Sequence, residues 1–166
     1  MTSRRFQLTV ALGMTILAYP CVFGAIVEQS VDELTRNSDV IARGQVTAMT
    51  SQWDSSHSYI YTTAEVAFST VYAGGPIDAP RVTIWIPGGS VGDTTLWVEH
   101  AAEFTVGQDV VLFLTDRSGV FDVTSWEQGK LNVVDGRIEG KNTTLATFEK
   151  TLREVINQVK KAGGQK

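Results

Sequence analysis

The chain has 166 residues, 43% hydrophobic and 19% charged, with a single cysteine and a formal net charge of −4. These values suit one globular domain and exclude a disulfide-rich miniprotein, a coiled coil or a multi-domain enzyme. No Lys/Arg-dense stretch is present to neutralise a row of phosphates, so nucleic acid is not an expected partner.

Arg4 and Arg5 precede an almost uncharged apolar run from Phe6 to Ala25, interrupted by Pro20 and ending in small residues. This pattern predicts a signal peptide over residues 1–24, with Val22 and Gly24 at the −3 and −1 positions of the cleavage site. The run is barely long enough to span a bilayer and carries a proline, so no stable membrane span is expected after processing. Cleavage removes Arg4, Arg5 and the only cysteine, Cys21, leaving a more acidic chain without thiol chemistry. Residues 25–166 are then expected to form a single secreted or periplasmic domain held together by its core, with no cofactor.

Ser30-Val31-Asp32-Glu33 has the S-x-x-E form of a capping box and predicts a short helix over 31–37. From Asp39 to Ile138 the chain becomes a succession of β-branched and aromatic runs separated by Gly, Pro, Asp and Ser. Strands are predicted over 39–53, 59–73, 81–87, 94–99, 109–116, 120–125 and 130–135. In the second, Ile60, Thr62, Ala64, Val66 and Phe68 alternate with Tyr61, Thr63 and Glu65. In the third, Val82, Ile84 and Ile86 alternate with Arg81, Thr83 and Trp85. Alternation of this kind buries one face and wets the other. The first two strands are long enough to require bending, for which Gly44 is the natural position. Long bent hairpin strands followed by shorter ones predict a small antiparallel barrel. The last element is an amphipathic helix over 147–162, with Thr147 as cap, apolar residues from Phe148 to Val159 at helical spacing, and Lys160 and Lys161 at its C-terminal end. The expected fold is therefore mainly β, a β-rich α+β arrangement with a short N-terminal helix and a C-terminal helix.

The combination SDVIARGQV, SQW, YIYTTAEVAFSTVYAGG, VTIWIPGGSVGD, FTVGQDVVLFL and QGKLNV resembles a widespread group of uncharacterised secreted bacterial proteins across residues 38–134. The strand layout of the first half is also distantly similar to the OB-type barrel of netrin modules and tissue inhibitors of metalloproteinases. That resemblance implies an OB-like barrel and a secreted address. The inhibitors' zinc-chelating N-terminal cysteine and disulfides have no counterpart in a chain whose only cysteine lies in the leader, so their mechanism does not transfer.

Three chemistries are weighed. Gly88-Gly89-Ser90-Val91-Gly92 contains G-x-S-x-G, the motif of a hydrolase nucleophile elbow, but the residues after it read as strand where an elbow needs a helix. Asp54, His57, Asp93 and His100 are the best metal-ligand types, yet their spacing does not pair them, and solvated loop positions account for them. Trp53, Tyr59, Tyr61, Trp85 and Trp97 fall at strand ends or on wetter faces, where they would form a surface for an extracellular or periplasmic protein or a glycan. Packing under the helices is the competing explanation. His57 and Lys130 complete the candidate surface, Lys130 beside the Gln128-Gly129 turn. The expected function is a non-enzymatic binding or envelope-associated module, with a small exported hydrolase using Ser90 and a protease inhibitor as alternatives.

Overall fold

Val110-Val111-Leu112-Phe113-Leu114 is an unbroken apolar run, and a strand of that composition must be covered on both faces. In the computed structural model, which describes residues 28–74 and 81–163, it is. Val110, Leu112 and Leu114 point into one apolar cluster with Val46, Val66 and Ile84. Val111 and Phe113 point into a second, with Leu34, Ile138, Phe148 and Leu152. The predicted signal peptide lies outside the described residues.

The elements follow in order α1 (Val31–Arg36), β1 (Val40–Trp53), β2 (Ile60–Ala73), β3 (Arg81–Pro87), β4 (Gly89–Val91), β5 (Thr94–Leu96), β6 (Asp109–Arg117), β7 (Val120–Val123), a 3-10 turn (Trp126–Gly129), β8 (Lys130–Val134), β9 (Arg137–Ile138) and α2 (Leu145–Gly163). The main sheet runs β1-β2-β3-β7-β6-β8-β9, and β1 also pairs with β6, so five strands return on themselves. All of these pairings are antiparallel except β3–β7, which is parallel and covers only Ile84–Phe121 and Trp85–Asp122. The result is a partly closed, mainly β sheet, and the thinnest seam of its five-strand circuit lies between β3 and β7. Its interior holds the first cluster, while α1 and α2 cover β1 and β6 from outside with the second.

The long strands bend where their register slips. Between Arg43 and Gly44, β1 advances one residue while β2 advances from Thr70 to Phe68, leaving Ser69 as the extra residue of a bulge. A Cβ at Gly44 would lie 2.5 Å from the Ala67 carbonyl oxygen, so the close approach of the strands there requires glycine. The capping box forms as expected: Ser30 Oγ accepts from the Glu33 amide and Glu33 Oε2 accepts from the Ser30 amide.

Two expectations are corrected. The strand predicted over 94–99 ends at Leu96, because Thr94–Leu96 forms a separate hairpin with β4 and Trp97 onward enters a loop. The C-terminal helix begins at Leu145 rather than 147, capped by Thr144, whose Oγ1 accepts from the Thr147 amide at 3.2 Å. The short strands β4 and β9 are too brief to show an alternating pattern in the sequence.

Leu152 is fully buried in the α2-facing cluster, so Leu152→Ala is expected to cost about 2–5 kcal/mol in urea unfolding. Gly129 is buried where an added Cβ would collide with the Thr124 carbonyl oxygen, which is backbone and cannot swing away. Gly129→Ala is expected to cost ~1–3 kcal/mol by the same measurement, despite adding only a methyl group.

Candidate functional site

Past Trp85 and Asp122 the parallel ladder ends, and the space between β3 and β7 becomes a groove of about 410 Å³. Tyr59, Trp85 and Pro87 form one wall, Val123 and Trp126 the other, and Val98 with Ala101 and Ala102 the floor. Tyr59 and Trp85 stack with ring centroids 6.4 Å apart, and Tyr61 tilts against the same indole at 6.1 Å. This places three of the predicted aromatics in one patch on the outer β2–β3 surface. The Arg117–Asp122 ion pair stands at the lip, the Arg117 side chain largely in solvent.

The opposite wall is held in an unusual backbone conformation. Ser125 and Trp126 both have positive φ, 56° and 60°, which non-glycine residues adopt at a cost of about 1–3 kcal/mol each. Side chains from distant sequence fix the turn: Ser125 Oγ donates to Gln29 Oε1 at 2.7 Å, and the Gln29 amide donates to Gln128 Oε1 at 2.6 Å. Beneath them buried Thr124 bonds Phe113 O through its amide, and its hydroxyl meets Ser38 and Thr115. Trp126 is thereby left 56% exposed on a rigid support.

The floor is a loop, 97–108, whose Ala102 and Phe104 are buried in the sheet interior. It is tied at both ends, by Gly107 N to Val46 O at 2.8 Å and by Glu127 N to His100 O at 3.0 Å. His100 itself has φ 62° and pairs through Nδ1 with Glu127 at 3.0 Å. The same loop also borders a polar depression of about 630 Å³, lined further by Glu127, Lys130 and Asn132. The Lys130 ammonium donates to Asn132 Oδ1 at 2.5 Å and sits 5.0 Å from the Phe104 ring centroid. Burial holds its pKa below the ordinary lysine value. A third concavity of about 300 Å³ is lined by Pro87, Gly88, Leu96 and Trp97, and all three share Val98, Ala101 and Ala102.

The predicted residues therefore divide. Tyr59 and Trp85 line the groove, with Tyr61 packed behind Trp85. Trp97 and Lys130 belong to the polar depression. Trp53 stacks on His57 at 6.2 Å near the tip of the β1–β2 hairpin, outside the residues lining the groove. Trp126 completes the groove and had no strand pattern to draw attention to it, although an indole in the polar run Ser125–Gly129 is itself a signal.

Other chemistry is placed as follows. Ser90 Oγ lies 2.8 Å from Thr95 Oγ1 across the β4–β5 hairpin, and the segment after it is strand, not helix. His57 and His100 engage Trp53 and Glu127. Asp54 caps its own loop, accepting from the amides of Ser58 at 2.7 Å and Tyr59 at 2.9 Å and from the Ser56 hydroxyl. Among the described residues no group of three or more His, Cys, Asp or Glu is arranged to hold a metal ion. Among those residues, too, no helix is long and apolar enough to cross a membrane. No protein-family model matches the chain, and no curated protein matches its sequence.

The bonds to the Asp54 carboxylate, led by that from Ser56, pull its pKa from 3.8 down to about 2. A depressed carboxylate favours the folded loop above its unfolded pKa, and that contribution fades as pH falls from about 4 through about 2. Carboxyl NMR titration is expected to place the Asp54 midpoint near 2, with exchange protection of the Ser58 and Tyr59 amides declining over the same interval. Asp54→Asn is expected to remove that pH dependence.

Proposed function

We propose that this protein is an exported binding module that grips an extended segment of a partner protein in the groove between β3 and β7. The observation that carries the reading is that two indoles, Trp85 and Trp126, line one mainly apolar groove at the seam of the sheet. Each indole offers a large apolar area with few rotatable bonds, so ordering it on binding costs little entropy. Trp126 is also held in place before any ligand arrives, because its strained turn is fixed by Gln29 and Thr124. An exposed indole on a rigid support is the kind of residue that dominates interface energetics. The export component rests on the predicted leader, Phe6 to Ala25.

The groove admits side chains rather than an added β-strand. Pro87 sits where β3 runs past the ladder, and it has no amide hydrogen to offer a neighbouring backbone. Specificity then comes from pockets for side chains, with the Arg117–Asp122 pair at the lip limiting which polar groups can pass.

Selection from a random-peptide display library on the folded domain is expected to enrich sequences with spaced aromatic or large aliphatic residues. Trp126→Ala is expected to weaken the selected peptides by about 2 kcal/mol, a factor of about 30, with unchanged thermal stability. Trp53→Ala is expected to leave binding within a factor of about two. Failure to enrich any sequence, or equal binding by the Trp126→Ala variant, contradicts the reading.

A further inference from the structure

The groove at Trp126 continues into surroundings of opposite character. The loop floor shared by the three concavities leads from the apolar walls at Trp85 and Trp126, past Trp97, to the depression beyond His100. There three carboxylates, Glu99, Glu103 and Glu127, face solvent, with the side chains of Glu99 and Glu127 73% and 54% exposed. One ammonium, Lys130, accompanies them, turned inward onto Asn132 and the Phe104 ring, and the His100 ring lies between two of them, Nδ1 3.0 Å from Glu127 and Nε2 3.5 Å from Glu99. The path is thus apolar at one end and negatively charged at the other.

We propose that the occupant is an amphipathic extended peptide, whose apolar side chains fill the Trp85–Trp126 groove and whose Lys or Arg side chains reach the carboxylates around Trp97. The inference rests on the peptide-binding reading above and specifies the ligand's chemistry. Charge complementarity carries it: exposed carboxylates along a binding path favour cationic groups, steer them during encounter and reject anionic competitors. The protein's net charge of −4 acts in the same direction at longer range. Geometry adds a second reason. The concavities adjoin through Val98, Ala101 and Ala102, so an extended peptide, advancing about 3.3 Å per residue, can pass from one into the next. Trp97, 71% exposed at the polar depression, offers an indole face over which a guanidinium or ammonium can stack. His100 and Glu127 are bonded to each other and to the loop backbone, so the carboxylate end is ordered before binding.

The test uses synthetic peptides with a Leu-Phe-Leu block joined in either order to a Lys-Lys-Lys block, with Glu-Glu-Glu and Ser-Ser-Ser counterparts. Affinities are read by tryptophan fluorescence at about 0.05 M and about 0.5 M salt. The Lys peptide in one order is expected to bind about tenfold more tightly than the Ser peptide at low salt, and the Glu peptide more weakly than either. Glu99→Gln, Glu103→Gln and Glu127→Gln combined are expected to erase that tenfold advantage and most of the salt dependence, bringing the Lys peptide to the affinity of the Ser peptide on the same variant. Gln at these positions keeps the side-chain shape, and circular dichroism melting confirms that the variant is folded. Equal affinity for the Lys, Ser and Glu peptides, or an unchanged Lys preference in the triple variant, overturns the charge inference while leaving the peptide-binding reading intact. Binding of N-acetylglucosamine oligomers with no binding of any peptide overturns both.

Discussion

The double burial of β6 is the constraint on which the rest of the structure depends. A strand reading Val-Val-Leu-Phe-Leu has no wet face, so the chain must supply apolar cover on both sides. Inside, that cover comes from β1, β2 and β3, which curl around Val110, Leu112 and Leu114. Outside, it comes from the two helices, which could not persist alone and gain their stability from Ile41, Val111 and Phe113 beneath them. The bulges in the β1–β2 hairpin follow from the same demand, because long strands must coil to enclose so small an interior.

The groove is a consequence of how that enclosure is completed. Five strands close through a parallel contact of only two residue pairs, and beyond it β3 and β7 separate. The 97–108 loop lies there, lining the groove with Val98, Ala101 and Ala102 and sending Ala102 and Phe104 into the interior cluster. The loop's outer surface then becomes the floor of the groove and of the polar depression. Fold and candidate site are therefore coupled through one segment: what seals the core also shapes the surface. Gln29 extends that coupling to the N-terminal end of the described chain, since its two hydrogen bonds hold the turn that presents Trp126.

Much of this was legible in the residues. The alternation in β2 and β3 specified their buried faces, the capping box located α1, and the helical spacing after Phe148 located the face of α2. What escaped was decided by contacts distant in sequence. Trp97 falls outside a strand because β5 pairs with β4 and leaves the main sheet, which no local pattern records. Among the predicted site residues, Tyr61 and Trp85 meet as diagonal neighbours in the β2–β3 register, Tyr59 stacks on the same indole from just before β2, and Trp53 stacks on His57 near the hairpin tip. Trp126 was hidden for a different reason: its exposure comes from two consecutive positive φ angles enforced by partners about a hundred residues away. A sequence reports propensity at such positions, and here tertiary contacts override it.

The central claim is that the seam between β3 and β7 is a preorganised peptide site. Chemical-shift mapping with a library-selected peptide on the ¹⁵N-labelled protein tests it most directly. The account predicts the largest shifts at the Trp85 and Trp126 indole N–H groups and at the amides of Val98, Ala101 and Ala102, with the Trp53 indole and the outer face of α2 unmoved. Shifts concentrated on α2 or on the Trp53–His57 tip, with the Trp126 indole unchanged at saturation, would contradict it.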